Sequence, residues 1–286
     1  MLPFMTIPAG MITRVLGALA LVSFLVLLNR GEVGEPVAAA TGVATPSYRK
    51  ATARALDRYL AGRAGKLAVS VRDLTTGRSF AYNKGLRTAT ASIVKVDLVM
   101  ALLLKAQRQH RRLTGWEKAV AARAVKVSDN AAASALWSAI GRGPGLAAAN
   151  RKLGLRGTRP GPGGAWGSTT TSADDQIRLL TALTSPKSPL TARHRRYVLS
   201  LMADVTPEQA WGVSAAGREA ALKNGWLPRE RHGGLWTVNS IGRVRTRGHT
   251  YLIAVISERH PSMGAGIRAV EHVSELVTKA LGTAGR

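Results

Sequence analysis

ASIVKVDLVMALLLK, residues 91–105, organises the reading of the whole chain. It is apolar almost throughout and rich in good helix formers, so it predicts a helix buried on all sides rather than a surface helix with one apolar stripe. Two ionisable residues interrupt it. Lys95 stands one turn after Ser92, on the same face, and Asp97 lies two residues further on and therefore points elsewhere. Upstream, residues 47–60 carry apolar positions at helical spacing, with Ser47 as the expected cap. Residues 67–71 and 79–82 flank Thr75, Thr76 and Gly77, a hairpin signature. Downstream, helical patterns with loop interruptions continue to about residue 203. Strand character returns in residues 235–244 and 250–256, and a closing helix is expected over about residues 264–281. This order predicts an α/β (α+β) fold: an antiparallel sheet drawn from both chain ends, flanked by the first and last helices, with an all-helical lobe over about residues 88–212 between its halves.

Composition sets the boundaries of function. The 286 residues carry 41 Lys and Arg against 16 Asp and Glu, a net charge of +25, and 45% of them are hydrophobic, enough for a sizeable core. The absence of cysteine excludes disulfides, thiolate metal sites, cysteine nucleophiles and a lipidated N-terminal cysteine. Residues 15–28 form a 14-residue apolar run after Arg14. As a helix it would span about 21 Å, short of the ~30 Å hydrocarbon core, and Ala38, Ala39 and Ala40 supply the small residues of a cleavage site. Residues 1–40 are therefore expected to be a signal peptide, with an uncleaved membrane anchor as the alternative, and residues 41–286 the folded part, secreted or in the cell envelope. The two arginines and two glutamates of residues 1–40 cancel, so the charge belongs to the folded part. No nucleic-acid motif is present, and export directs that charge toward anionic envelope polymers.

Three short motifs follow one another: Ser92-Ile93-Val94-Lys95, Ser128-Asp129-Asn130 and Lys223-Asn224-Gly225. A Ser-x-x-Lys match is expected about once by chance in a chain this long, and Ser47-Tyr48-Arg49-Lys50 is a second instance. Ser-Asp-Asn is far rarer. Context separates the serines: Ser92 opens an apolar helix whose positive end would face its hydroxyl, and a lysine buried there should have a depressed pKa or a tight partner; neutral or sharing its proton, it could take the Ser92 proton. Lys50 lies on a basic, solvent-facing stretch. Each residue also has a plainer reading, with Ser92 and Ser128 or Asp129 as helix caps and Asn224-Gly225 as a turn. Their order and surroundings favour a joint role. The histidines, among them His110, His194 and His232, sit in polar stretches without a G-x-S-x-G elbow, which argues against a triad. No H-x-x-x-H pair supports a metal, and no cofactor is expected.

The motif set resembles the penicillin-recognising serine enzymes, most closely class A beta-lactamases. The resemblance runs from about residue 47 to the C-terminus and takes in the Ala-rich segment 131–140, Thr169-Thr170-Thr171 and Asn239-Ser240-Ile241. It implies Ser92 as acylated nucleophile, Lys95 as its base, and Ser128 as proton relay to the leaving nitrogen. Asn130 would hold Lys95 and the substrate amide, Lys223 would bind the substrate carboxylate, and the backbone N–H groups of Ser92 and Trp226 would form the oxyanion hole beside Gly225. Two departures stand out. Asn224 replaces the usual hydroxyl residue of the third motif. The segment that should carry the deacylating glutamate reads RPGPGGAWGS, residues 159–168, and no Asp or Glu occurs between Asp129 and Asp174.

The expectation is an exported serine hydrolase that forms an acyl-enzyme on Ser92 with a beta-lactam or a peptidoglycan-derived amide and deacylates slowly. It would work as a monomer, with anionic envelope polymers as further partners and no nucleic acid. The alternatives are a D-alanyl peptidase-like wall hydrolase and a non-catalytic polymer-binding protein, the latter suggested by Asn224. Asp97 is expected to pair with a buried arginine. Arg243 and Arg245 share one strand face, which reads first as solvated and second as an aid to carboxylate binding. The tryptophans 166, 211 and 236 read as core or cleft wall.

Overall fold

The computed structural model describes residues 45–246 and 248–284, so the expected leader, residues 1–40, lies outside the described residues. Five strands form one antiparallel sheet in the order β2-β1-β7-β6-β5: β1 (Lys66–Asp73), β2 (Ser79–Tyr82), β5 (Glu219–Pro228), β6 (Trp236–Thr246) and β7 (His249–Glu258). The hairpin over residues 67–82 is present, with Asp73 accepting from Thr75 N and Thr76 Oγ1 to shape its turn. β7 pairs with β1 over eight positions, from Lys66 opposite Glu258 to Asp73 opposite Tyr251, so the sheet joins the two ends of the chain as the element order predicts.

Both faces of the sheet are covered, which is why β1 and β7 are buried along most of their length. Against one face lie α1 (Thr45–Leu60) and α8 (Met263–Thr283). Leu56, Val270, Val273 and Val277 pack there on Val69, Val71, Ile253 and Val255. The first helix begins at Thr45, two residues before the expected cap, so Ser47 sits exposed in its first turn, and the second Ser-x-x-Lys match is a stretch of helix surface. On the other face, Ala68, Ile241, Leu252, Ala254 and Ile256 meet the helical region. Its centre is α2 (Val94–Arg108), buried on every side from Val94 to Leu104, as its unbroken hydrophobicity requires.

Around α2 pack α3 (Gly115–Lys126), α4 (Asn130–Ala139), α5 (Arg142–Leu153), α6 (Ala173–Thr184) and α7 (Ala192–Ala203). Four of these five start at a side-chain cap: Thr114, in a full capping box with Glu117, then Asp129, Ser172 and Thr191. A two-residue ladder between β3 (Thr88–Ala89) and β4 (Thr170–Thr171) ties the chain entering α2 to the segment before α6. No periodicity announces strands that short. Among the described residues no helix is long and apolar enough to cross a membrane.

Asp97 corrects one expectation. Its carboxyl group is buried with no arginine partner among the described residues, and the side-chain amide of Asn150 on α5 donates to its two oxygens at 2.8 and 3.1 Å, in the orientation that satisfies both groups.

Candidate active site

Ser92 lies in a single 3-10 turn (Ala91–Ile93) that leads into α2. Ala91, just before it, has φ of 48°, a left-handed conformation rare for a residue with a Cβ. The sheet holds this turn: Asn239 on β6 donates through Nδ2 to Ala89 O at 2.8 Å and Thr90 O at 3.0 Å, while its Oδ1 accepts from Ser257 N at 3.0 Å. β5 presses against the same turn from the sheet edge. A Cβ added at Gly225 would lie 2.6 Å from Ser92 N, 2.7 Å from Thr90 O and 2.8 Å from Ile93 N, so only glycine lets the strand approach. Ser92 is half-buried, and among the described residues no hydrogen bond engages its Oγ.

The remaining motif residues converge on Ser128. Lys95 Nζ donates to Ser128 O at 2.6 Å, Ser128 Oγ at 3.1 Å and Asn130 Oδ1 at 2.8 Å. Lys223 Nζ donates to the same Ser128 Oγ at 3.0 Å and to Asn224 O at 2.9 Å, with Gln209 Oε1 at 3.5 Å. Ser128 itself has φ of 57°, which turns its hydroxyl between the two amines. Asp129 does not face them. It caps α4 by accepting from Ala132 N at 2.7 Å and pairs with Arg123, and these bonds hold its carboxyl below the ordinary range. The cap reading of the second motif therefore applies to its Asp, alongside the cluster formed by its Ser and Asn.

Both amines are buried, and desolvation drives their pKa values down, Lys95 to about 8 and Lys223 to about 7. Asp129 opposes the fall at Lys95, whereas at Lys223 the Lys95 charge adds to it. Two ammonium groups on one hydroxyl repel, and Lys223, with the lower value, gives up its proton before Lys95 does. Lys95 reaches the neutral state a general base needs as the pH passes about 8.

Asn224 differs from its expected role. Its side chain is fully buried on the far face of β5, where Nδ2 donates to Gln209 O at 2.7 Å and Trp211 O at 2.9 Å. With those protons committed it anchors the 209–211 loop instead of facing a substrate. Trp226, next along β5, packs its half-buried ring against Trp211 at 5.6 Å between centroids. Of the two arginines on β6, Arg245 is exposed and pairs with Glu219 at 3.3 Å, the solvated reading, while Arg243 is half-buried.

The glycine-rich segment 159–168 closes the wall opposite β5. It is stapled at its mouth by the Arg159–Thr170 bridge, and Gly161 N donates to Thr169 Oγ1 at 3.1 Å. A Cβ at Gly161 would stand 2.1 Å from Ala165 O, so the tight turn depends on that glycine. The segment ends in a second 3-10 turn (Trp166–Ser168) that places the Trp166 ring centroid 5.0 Å from Lys95 Nζ, with Trp166 Nε1 donating to Ser134 Oγ on α4 at 3.1 Å. Arg229 Nη1, beyond the end of β5, reaches Ser168 Oγ at 3.3 Å across the cleft. Sequence reasoning missed Asn239, Gln209 and Arg229 as site-building residues, and it placed Trp166 only as cleft wall.

Comparison with known proteins agrees with this fold. A class A beta-lactamase from Bacteroides cellulosilyticus superposes with a TM-score of 0.70 at 14% identity, covering 82% of this chain and 99% of its own. PBP-A superposes with a TM-score of 0.69 at 18% identity, covering 81% and 96%. LppW of Mycobacterium tuberculosis, described by its name as a lipoprotein, is 28% identical over 169 residues, 56% of this chain. The chain spans about half the length of this curated relative, 54%. The model of the Beta-lactamase enzyme family matches residues 51–115 and 117–281, a span that holds Ser92, Lys95, Ser128, Asn130 and Lys223. With the fold, the motif cluster and this match in accord, the chain belongs to the beta-lactamase enzyme family.

Proposed function

We propose that this chain is an acyl-transferring serine enzyme of the cell envelope, which opens a beta-lactam or a related amide on Ser92 and releases the acyl group slowly. The observation that carries the reading is the Lys95–Ser128–Lys223 cluster beside a serine whose hydroxyl is unengaged. In the acylation step, neutral Lys95 takes the Ser92 proton as Oγ bonds to the carbonyl carbon. Charge gathering on the carbonyl oxygen is met by the N–H groups of Ser92 and Trp226. As the carbon–nitrogen bond breaks, the Ser128 hydroxyl, polarised by Lys223, delivers its proton to the leaving nitrogen, and the proton on Lys95 replaces it. Asn130 holds Lys95 in place through this cycle.

Slow release follows from chemistry that is missing. The segment 159–168 brings an indole rather than a carboxylate to the wall beside Lys95. Loss of a positioned general base typically lowers a rate by ~10² to 10⁴. After brief exposure to a penicillin, the intact mass of the protein should rise by one whole penicillin and stay raised for hours, with the adduct mapping to Ser92 and absent in Ser92→Ala. Rapid multi-turnover hydrolysis by wild type would refute slow release, and no adduct with any acyl donor would leave a binding protein.

A second reading, a D-alanyl peptidase-like enzyme acting on wall peptides, is favoured by the same missing carboxylate and by the likeness to PBP-A. The polymer-binding reading loses its motive at Asn224, since that residue is buried away from the cleft. Envelope location is supported by the apolar run at residues 15–28, by the charge and by the lipoprotein relative.

A further inference from the structure

We propose that Trp166 is a positioning residue for Lys95: its indole face holds the Lys95 ammonium against Ser128 and Asn130 and sets the pH at which that amine releases its proton. The inference deepens the proposed function and rests on Lys95 being the base that deprotonates Ser92. Four observations carry it. The ring centroid lies 5.0 Å from Lys95 Nζ, within the range in which the negative face of an indole attracts a cation, and the attraction grows when water is excluded. Lys95 has no exposed surface and the ring is half-buried, so the contact is largely screened from solvent.

The ring is also fixed. Its Nε1 edge is tied to Ser134 Oγ at 3.1 Å, its backbone N donates to Gly164 O at 2.9 Å and its O accepts from Thr169 N at 3.1 Å. Gly161 and the Arg159–Thr170 bridge hold the segment that carries it. Finally, the acceptors around Nζ are Ser128 O, Ser128 Oγ and Asn130 Oδ1, all uncharged, so the indole is the one π-face added to a neutral cradle.

The charged groups around Lys95 on each packed element are few. Asp129, on the loop before α4, favours the ammonium but is itself paired with Arg123. Lys223 on β5 disfavours it. On α2 itself, Asp97 points toward Asn150 and titrates near 8, so it is largely neutral at pH 7. Against this background a desolvated cation–π contact is worth about one pH unit to the lysine. Replacing the ring with an aliphatic side chain that keeps the lysine dry removes this attraction, destabilises the charged form and moves the titration down.

The test is a titration of the full-length protein labelled with 13Cε-lysine, with the Lys95 resonance assigned by its loss in Lys95→Arg. In Trp166→Leu the Lys95 midpoint should fall by about one pH unit, whereas Trp166→Phe, which keeps a ring face, should stay within ~0.3 unit. Ser134→Ala, an exposed substitution that unties the ring without removing it, should move the midpoint the same way by a smaller amount. The ascending limb of Ser92 acylation by a penicillin should follow each shift. An unchanged midpoint in Trp166→Leu, or equal shifts in the Leu and Phe variants, overturns the inference. If Trp166→Leu does not fold, the Ser134→Ala midpoint decides alone: a fall supports the inference and no change overturns it. A wild-type protein that no acyl donor acylates, yet whose Lys95 midpoint depends on the ring, would refute the proposed function and leave the hold of the ring on the lysine standing.

Discussion

Asp97 shows at the scale of one residue how a motif can be read correctly while its neighbour is misread. Spacing places it off the Lys95 face, which holds, but spacing carries no information about which partner waits inside. The partner is the amide of Asn150 rather than an arginine. Burial, with a smaller push from the Asp175 charge, raises its carboxyl pKa to about 8. In the unfolded chain the same group titrates near ~4. Between those values the folded state keeps a proton that the unfolded state has lost, so stability falls as pH rises from about 4 to about 8. Asp97→Asn should therefore raise Tm over wild type at pH 8.5, with the gap narrowing toward pH 5. A gap that widens on acidification would show a charged Asp97 in the folded protein. Asn224 and Trp166 teach the same lesson. A Lys-x-Gly match does not say that the middle side chain turns to the far face of β5, and nothing in RPGPGGAWGS says where an indole face points.

Among elements, those with long periodic or apolar runs were legible: α2, α8, and the β1–β2 hairpin fall where patterning puts them. The β3–β4 ladder did not, since two-residue strands carry no alternation to read. The start of α1 lies two residues before the expected cap, since Ser47 falls inside the first turn. The decisive element for chemistry is the junction of β5 with the turn at Ser92. At Gly225 an added methyl would meet three backbone atoms, none able to rotate away. The strand must then lift, carrying Lys223 and the N–H of Trp226 with it. Displacements of about 1 Å typically cost ~10² in rate. Gly225→Ala should accordingly slow penicillin adduct formation on Ser92 by at least about 100-fold while the far-ultraviolet circular dichroism spectrum stays that of the wild type. Adduct formation at the wild-type rate would show that β5 does not shape the site.

The whole molecule carries a charge of +25, and the site uses very little of it: Lys95 and Lys223 are buried and partly neutral near pH 7. The rest is a surface property, and it should separate from catalysis under salt. Between about 0.05 and 0.5 M salt the Debye length shrinks from ~14 to ~4 Å. Retention of the protein on an acidic glycopolymer should be lost across that range, while formation of the Ser92 adduct at saturating penicillin should change less than about threefold. Polymer retention that persists at 0.5 M would point to contacts other than charge. That single count also held the clearest functional signal of the composition, since a chain so poor in carboxylates has none to spare between Asp129 and Asp174.

The sheet that frames the site has a further consequence, in the order of folding. Its middle strand is β7, nearly the last element of the chain, and it bonds to β1, nearly the first; His249 and Asp73, 176 residues apart, meet at 2.8 Å. Until β7 is present, the β1–β2 hairpin and the β5–β6 pair have no strand to join them, and Lys223 has no fixed position opposite Ser128. Closing so long a loop is slow. The emerging polypeptide thus spends its synthesis without a finished sheet, and Lys223 takes its place opposite Ser128 only once β7 has emerged.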